Sequence, residues 1–421
     1  MWKDLTPLPR PLISPSPTAA RILIIGGGVI GLTTAWILLD RGYKVTIISK
    51  EWASLTNQQR LTSQIAGALW EYPPAVCGSH TDEISLHRSK RWCMIAYHIW
   101  DAIAAMPELS QASGVRMMAG TFFFPKSLSG KEIAKMEEIQ GSGVRGFRYD
   151  AKLVEERNIC KTYGVADAYE LLAPIIDTDQ AMMWLTDLVR DKGAAMVTES
   201  INRDLLGLED TLRKRFGVDL IVNAAGLHAG ALAGDGSCYP LRGALIRLIN
   251  DGTNFPKINA SMSIGAHVAK DNAIVFIVPR NDNILLLGGI AEPHQPTLDL
   301  TLDSPIIKRM RARCEAFLPC LKNARMDPEY PLAQGLRPAR PKNVRLERET
   351  RTSLTGKPSR IIHSYGHGGS GWSLSFGCAA DVATLVEESL AHIEPKPMAS
   401  RDDRSETPTM YQGSRAFSAK L

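Results

Sequence analysis

The chain lacks the features that mark several broad classes. Its seven cysteines are scattered: Cys77, Cys93, Cys160, Cys238, Cys314, Cys320 and Cys378 form no CxxC pair and no Cys/His grouping with zinc-ligand spacing. This argues against a disulfide-stapled scaffold, and no metal site is expected. An odd number of dispersed thiols, with no apolar leader segment, suits a reducing compartment. No apolar run approaches the ~20 residues needed to cross a bilayer, so no membrane span is expected. Neither sign of charge is in excess, since 49 Lys and Arg stand against 44 Asp and Glu. The charges are interspersed and no basic stripe carries interleaved aromatics, which argues against nucleic acid as a partner. No internal repeat is found.

What is present is a chain of 421 residues, 44% hydrophobic, long enough for two domains with sizeable cores. Arg21 to Ile25 is an apolar run suited to a buried parallel strand. It runs into Gly26-Gly27-Gly28-Val29-Ile30-Gly31, then a helix over Leu32 to Leu39 and a second strand over Lys44 to Ile48. In this βαβ context Gly26 permits the tight turn, Gly28 lets a pyrophosphate approach the backbone, and Gly31 lets helix and strand pack closely. The helix N-terminus adds unpaired N–H groups and a partial positive charge for phosphate. After the second strand stand Ser49, Lys50 and Glu51. Glu51 suits ribose hydroxyls, whereas Ser49 and Lys50 suit a 2′-phosphate and leave NADP open.

Further apolar runs predict strands at Asp219 to Asn223, Ile274 to Pro279 and Ile284 to Gly289, the last two joined by the turn Arg280 to Asn283. Helices are predicted over about Glu83 to Met106, Gln180 to Lys192, Pro305 to Phe317 and Ser373 to His392. The Trp92, Ala96, Trp100 stripe reads as core. A second glycine-rich loop, Gly366-His367-Gly368-Gly369-Ser370-Gly371, lies between the strand-like Arg360 to Tyr365 and the closing helix. Two such loops, about 340 residues apart, suggest a chain that returns to one cofactor.

A family resemblance rests on five stretches in order over roughly residues 21 to 393: Gly26 to Leu32; Ala66-Gly67-Ala68-Leu69-Trp70; Val222-Asn223-Ala224-Ala225-Gly226; Gly335-Leu336-Arg337-Pro338-Ala339-Arg340-Pro341 with Val344 to Glu347; and Tyr365-Gly366-His367-Gly368-Gly369 with Gly371 and Gly377-Cys378-Ala379. The chain resembles the FAD-dependent D-amino-acid oxidases, a family that includes D-aspartate oxidase. The resemblance implies an α/β fold: a Rossmann-like FAD-binding domain from about 21–75, 180–235 and 338–395, and a substrate domain from 76–179 and 236–337 on a large mixed β-sheet. It implies noncovalent FAD, with Gly26, Gly27, Gly28, Val29, Ile30 and Gly31 at the pyrophosphate. Ser49 and Lys50 would lie beyond the second strand, and Ile201 near the adenine. Ser63, Ala68 and Leu69, with Gly368, Gly369, Gly371, Trp372 and Ser373, would surround the flavin.

By the same resemblance Arg337 anchors the substrate carboxylate through two parallel hydrogen bonds, and the Gly369 carbonyl accepts from the substrate amine. The reaction implied is hydride transfer from substrate Cα to the flavin, yielding a 2-oxo acid, ammonia and hydrogen peroxide, with molecular oxygen as co-substrate. The chain departs from the family at two substrate-side tyrosines, here Phe276 and Asn272. Tyr72 is a candidate to compensate, and Arg280 a candidate to face the pocket and favour D-aspartate. A secondary amine or specialised metabolite as substrate, or an FAD-binding protein without oxidase activity, stay open. His367 is read as a structural histidine bonded to loop backbone, Arg340 and Arg345 as structural, and Cys378 as a packed thiol. Residues 1–20 read as a flexible lead-in and 396–421 as a disordered tail. The terminal Ala419-Lys420-Leu421 resembles a peroxisomal address, which implies an import receptor as partner. The oligomeric state, a homodimer included, is open.

Overall fold

The computed structural model describes residues 4–56, 59–74, 83–265, 274–341, 343–353 and 356–397. Its strands in chain order are β1 (Arg21–Ile25), β2 (Lys44–Ser49), β3 (Val115–Phe124), β4 (Arg148–Tyr149), β5 (Asp167–Ile176), β6 (Ala195–Thr198), β7 (Leu220–Asn223), β8 (Tyr239–Ile249), β9 (Ser261–Ile264), β10 (Val275–Pro279), β11 (Ile284–Gly288), β12 (Glu292–Pro293), β13 (Leu332–Ala339), β14 (Arg345–Arg348) and β15 (Ile361–Tyr365). They form two sheets. The first, six-stranded, runs β14-β15-β7-β1-β2-β6. It is parallel except at its edge, where β14 pairs antiparallel with β15. The second runs β12-β8-β11-β10-β9-β3-β5-β4, with β13 also on β8. It is mixed, because β3 and β9 pair parallel within an otherwise antiparallel sheet.

The helix after β1 spans Val29–Asp40, and all twelve of its residues are buried. Such an all-round apolar helix belongs inside the molecule. It is covered by the closing helix Gly371–Leu390, which in turn packs on Glu83–Ala104. A Cβ at Gly377 would meet the Trp92 backbone at 2.2 Å, so the glycine sets how closely those two helices cross. Trp36, Phe376 and Trp100 fill the layer edge to face, with ring centroids 5.5 and 4.8 Å apart. Glu83–Ala104 comes from the stretch assigned by sequence to the substrate domain, yet it packs against the dinucleotide-side helices as well as against β3 and β5.

The reading of residues 1–20 as a flexible lead-in does not hold for residues 4–20, which are strapped to the end of the first helix. Asp40 collects the strap's backbone, its Oδ2 accepting from Thr6 N at 2.8 Å and its Oδ1 from Leu12 N at 3.0 Å. Trp36 Nε1 also donates to Asp40 Oδ2, at 2.9 Å, and Lys192 Nζ pairs with Oδ1 at 2.7 Å, both charged side chains being fully buried. Lys192 Nζ donates further to the Arg10 carbonyl at 3.0 Å, and Leu5 sits in the core. A polar strap with buried charges was hidden because its partners are remote in sequence. Replacing Asp40 with Ala leaves a buried ammonium uncompensated and should cost about 3–5 kcal/mol of stability. Urea unfolding reads this directly, and an unchanged midpoint would remove the strap's anchoring role.

Candidate active site

One cavity of about 860 Å³ lies between the two sheets and is lined by both glycine-rich loops. At the end nearer β1, Gly26 has φ +124°, and a Cβ there would lie 2.3 Å from the Ala224 carbonyl oxygen. Gly26, Gly27, Gly28, Val29 and Ile30 line the cavity, as do Ser49, Lys50 and Ile201. Gly31 does not, and its assignment as a cofactor contact is corrected: a Cβ on it would sit 1.9 Å from the Gly26 oxygen, so it serves helix–strand packing behind the site. Ser49 Oγ accepts from Gly27 N at 3.2 Å. Lys50 is exposed and pairs with Glu51 at 3.2 Å.

The first helix begins at Val29 with Gly28 as N-cap and no acid in its first turn. The closing helix begins at Gly371, likewise without a side-chain cap from its own N-cap residue or an early acid. These two N-termini meet: a Cβ on Gly371 would lie 3.8 Å from Val29 Cγ1. Ser63 ties them together, its Oγ accepting from Val29 N at 3.1 Å and its carbonyl from Trp372 Nε1 at 2.9 Å. Two converging positive helix ends suit an anionic ligand. Ala68, Leu69, Gly368, Gly369 and Ser373 complete this part of the wall. Ser364 Oγ, buried on the same wall, has no partner among the described residues, as expected of a group whose hydrogen-bond partner is a ligand or water.

His367 also lines the cavity but does not bond loop backbone through its ring. Its Nε2 has no partner among the described residues, and burial holds the imidazole neutral by pushing its pKa down to about 3. It therefore carries no proton for acid–base work near neutrality.

Beyond the glycine loops the cavity opens onto one face of the mixed sheet. Arg337 on β13 lays its guanidinium over Gly243 of β8, where a Cβ would fall 2.3 Å from Nη1. Its Nη1 donates to the Ile290 carbonyl at 3.2 Å, and no acid pairs with it among the described residues. Arg340 pairs with Asp235 at 3.2 Å and Arg345 with Glu347 at 2.8 Å, so both are structural. Phe276 lines the cavity, its ring lodged against Gly67, where a Cβ would meet Cε1 at 2.3 Å. Asn272 lies outside the described residues.

Two proposed substrate contacts are corrected. Arg280 is only 2% exposed and lies off the cavity. Its guanidinium bonds Thr178 Oγ1, the Ile176 carbonyl at 3.3 Å and the Gln64 carbonyl at 3.1 Å, so it ties the short helix Thr62–Ile65 to the end of β5 and the start of the helix Thr178–Asp191. Tyr72 is buried away from the cavity beside Trp70, with ring centroids 6.3 Å apart. The reason is alternation. In the extended stretch from Leu69 to Tyr72 successive side chains take opposite sides, so Leu69 and Glu71 line the cavity while Trp70 and Tyr72 face the core. Sequence reasoning missed Glu71 and, on β9, Ser263, both of which line the cavity. Their signal was register alone, since Ser263 pairs with Phe276 across the β9–β10 ladder. Cys378 is buried in the closing helix, and among the described residues no His, Cys, Asp and Glu cluster could hold a metal.

A family model described as FAD dependent oxidoreductase matches residues 21–385. The chain is 31% identical over 372 residues to a D-amino-acid oxidase of Rubrobacter xylanophilus, covering 88% of this chain and 97% of that one. It is 28% identical over 376 residues to the D-aspartate oxidase of Homo sapiens, covering 88% and 95%. Among solved structures, glycine oxidase from Bacillus cereus superposes with a TM-score of 0.62 at 18% identity, covering 88% and 95%. L-proline dehydrogenase from P. horikoshii does so with 0.61 at 18%, covering 91% and 96%. At these identities the structural likeness speaks for the fold.

The neutral His367 generates a pH dependence. The unfolded chain binds a proton below about 6.5 that the folded protein refuses until about 3, so stability falls as pH drops through that window. His367→Asn should make this acid-side decline shallower by up to about 1.4 kcal/mol per pH unit. Denaturant unfolding between pH 6 and 4 checks it, and parallel profiles for the two proteins would contradict it.

Proposed function

The chain belongs to the family of FAD-dependent oxidoreductases, and from that premise we propose that it oxidises D-amino acids, taking neutral or basic side chains rather than acidic ones. FAD is its cofactor, and the NADP reading of Ser49 and Lys50 falls with that. The observation that carries the substrate reading is Arg337: a guanidinium on a glycine floor, without an acidic partner among the described residues, in the cavity that both glycine-rich loops line. Relatives named D-amino-acid oxidase support the same reading.

Gly26 to Ile30 would hold the pyrophosphate, Ser49, Lys50 and Ile201 the adenosine side, and Ser63, Ala68, Leu69 and Gly368 to Ser373 the flavin side. Bound there, FAD supplies the acceptor for the hydride lost from the substrate Cα, and oxygen then takes the electron pair to give hydrogen peroxide. Arg337 grips the substrate carboxylate in a planar fork and so fixes where Cα lies. The Gly369 carbonyl accepts from the neutral substrate amine, so no side-chain base is needed, in keeping with the buried, neutral His367. Phe276, Leu245 and Ile274 exclude water around the reacting centre. The imino acid product hydrolyses in solution to a 2-oxo acid and ammonia.

With Arg280 buried elsewhere, the argument for an acidic side chain loses its cation: among the described cavity residues Arg337 is the arginine present, and Lys50 lies beyond β2 on the dinucleotide side. Phe276 in place of a phenol favours a second reading, in which the substrate is a secondary amine bearing a carboxylate. A peroxisomal location is a proposal carried by Ala419-Lys420-Leu421 alone, which lies outside the described residues. Similar relatives in two bacteria, organisms without peroxisomes, weigh against any need for that compartment.

The test is the flavin spectrum of the purified protein under anaerobic conditions during titration with D-amino acids. Bleaching by neutral or basic ones is expected, and no bleaching by any would sink the reading. Arg337→Met should retain FAD and lower kcat/KM by roughly 100-fold or more, since two charge-assisted hydrogen bonds are lost. Unchanged turnover would remove Arg337 from the site.

A further inference from the structure

The sheet that floors the cavity supplies a ruler. Leu245 on β8 pairs with Gly288, Gly288 with Phe276, and Phe276 with Ser263 on β9. The guanidinium of Arg337 lies over Gly243, also on β8. From there to Ser263 is three interstrand steps and two residues along the strand, roughly 16 Å. A carboxylate held on Arg337 by hydrogen bonds of about 2.8 Å puts Cα well short of Ser263. An extended side chain of the length of lysine or arginine covers the remainder, passing over Phe276.

The far end is polar. Ser263 is 3% exposed, lines the cavity, and makes no side-chain hydrogen bond among the described residues. Glu71 stands at the same end. Its neighbour Leu69 bridges to Ile175 on β5 and reaches to 3.5 Å from where a Cβ on Gly120 of β3 would lie, and β3 lies next to β9. By alternation Glu71 shares the cavity side with Leu69. Behind Glu71, Lys135 feels its charge, and the lysine ammonium is itself held by the Pro74 carbonyl at 3.0 Å. The cavity thus has a cation at the carboxylate end, an apolar middle of Phe276, Leu245 and Ile274, and, at the far end, a hydroxyl with a carboxylate that the Lys135 ammonium backs.

We propose that Glu71 and Ser263 are specificity residues that receive the cationic end of the substrate side chain, so that the substrates are D-amino acids with an amine or guanidine at the tip. This rests on the D-amino-acid reading given above. A protonated tip offers several N–H donors to two acceptors, whereas an acidic tip would face Glu71 with like charge.

The experiment is anaerobic bleaching and steady-state kinetics with D-lysine, D-norleucine (the same chain without the amine) and D-glutamate, on the holoenzyme and on Glu71→Gln and Ser263→Ala. The intact protein should favour D-lysine over D-norleucine by about tenfold or more in kcat/KM, chiefly through KM. In each variant the ratio between these two substrates should move towards one. Because the ratio is taken within a single protein, a general loss of fold or cofactor does not imitate that change. D-norleucine or D-glutamate as the better substrate, or a ratio that neither variant moves, would overturn the inference while leaving D-amino-acid oxidation standing. If no D-amino acid bleaches the flavin, the underlying reading fails and this one with it.

Discussion

Gly31 packs against the carbonyl of Gly26 so closely that a Cβ would lie 1.9 Å from the oxygen. From that contact the rest of the site is laid out. It seats the start of the first helix directly over the end of β1, which aims the helix N-terminus into the cavity. The closing helix then lies close enough for Gly371 to approach Val29. Ser63 and Trp372 join the two ends. Side chains at either glycine would push the elements apart, and the convergence of two positive helix ends would be lost.

Charge is treated in two ways in this molecule. Most arginines near the cavity are spent on structure: Arg340 on Asp235, Arg345 on Glu347, and Arg280 on hydroxyl and carbonyl groups between the sheets. Arg337 is handled differently. It is half-buried with one carbonyl contact, and the glycine beneath it provides room without a counter-charge. A guanidinium kept partly dry and lacking an anion is a poor arrangement for stability and a good one for taking up a carboxylate, which is where the two demands separate.

What could be read in the residues was local. The strand, glycine turn and helix of Arg21 to Leu39, the helix over Pro305 to Phe317, the buried Trp92, Ala96, Trp100 stripe and the paired roles of Arg340 and Arg345 were all legible, because each signal lies within a few residues or in a recognisable motif. What was illegible depended on remote partners or on phase. Asp40 ends an apolar helix with no local signal of its burial, because its partners lie 28, 34 and 152 residues away. Arg280, at the turn after a strand-ending proline, suggested a cation facing the pocket, although the turn folds onto Gln64 and Thr178. Tyr72 was favoured for its phenol, but side-chain alternation gives the cavity to Glu71. Ser263, a small hydroxyl in an apolar strand, is noticed only once its register with Phe276 is known.

The strand order of the six-stranded sheet has a consequence for how the protein is made. β1 is made before all its partners: β2 on one side follows at once, while β7 on the other, and β14 and β15 beyond it, come later, the last two after more than three hundred residues of further synthesis. At ~5–20 residues per second, the Gly26 to Gly31 turn waits for roughly 20–70 seconds before the second glycine loop exists. Through that interval an apolar helix meant for the centre of the molecule has no closing helix to cover it. The first helix thus depends on a segment made more than three hundred residues later, and synthesis is the stage at which its apolar surface stays uncovered longest.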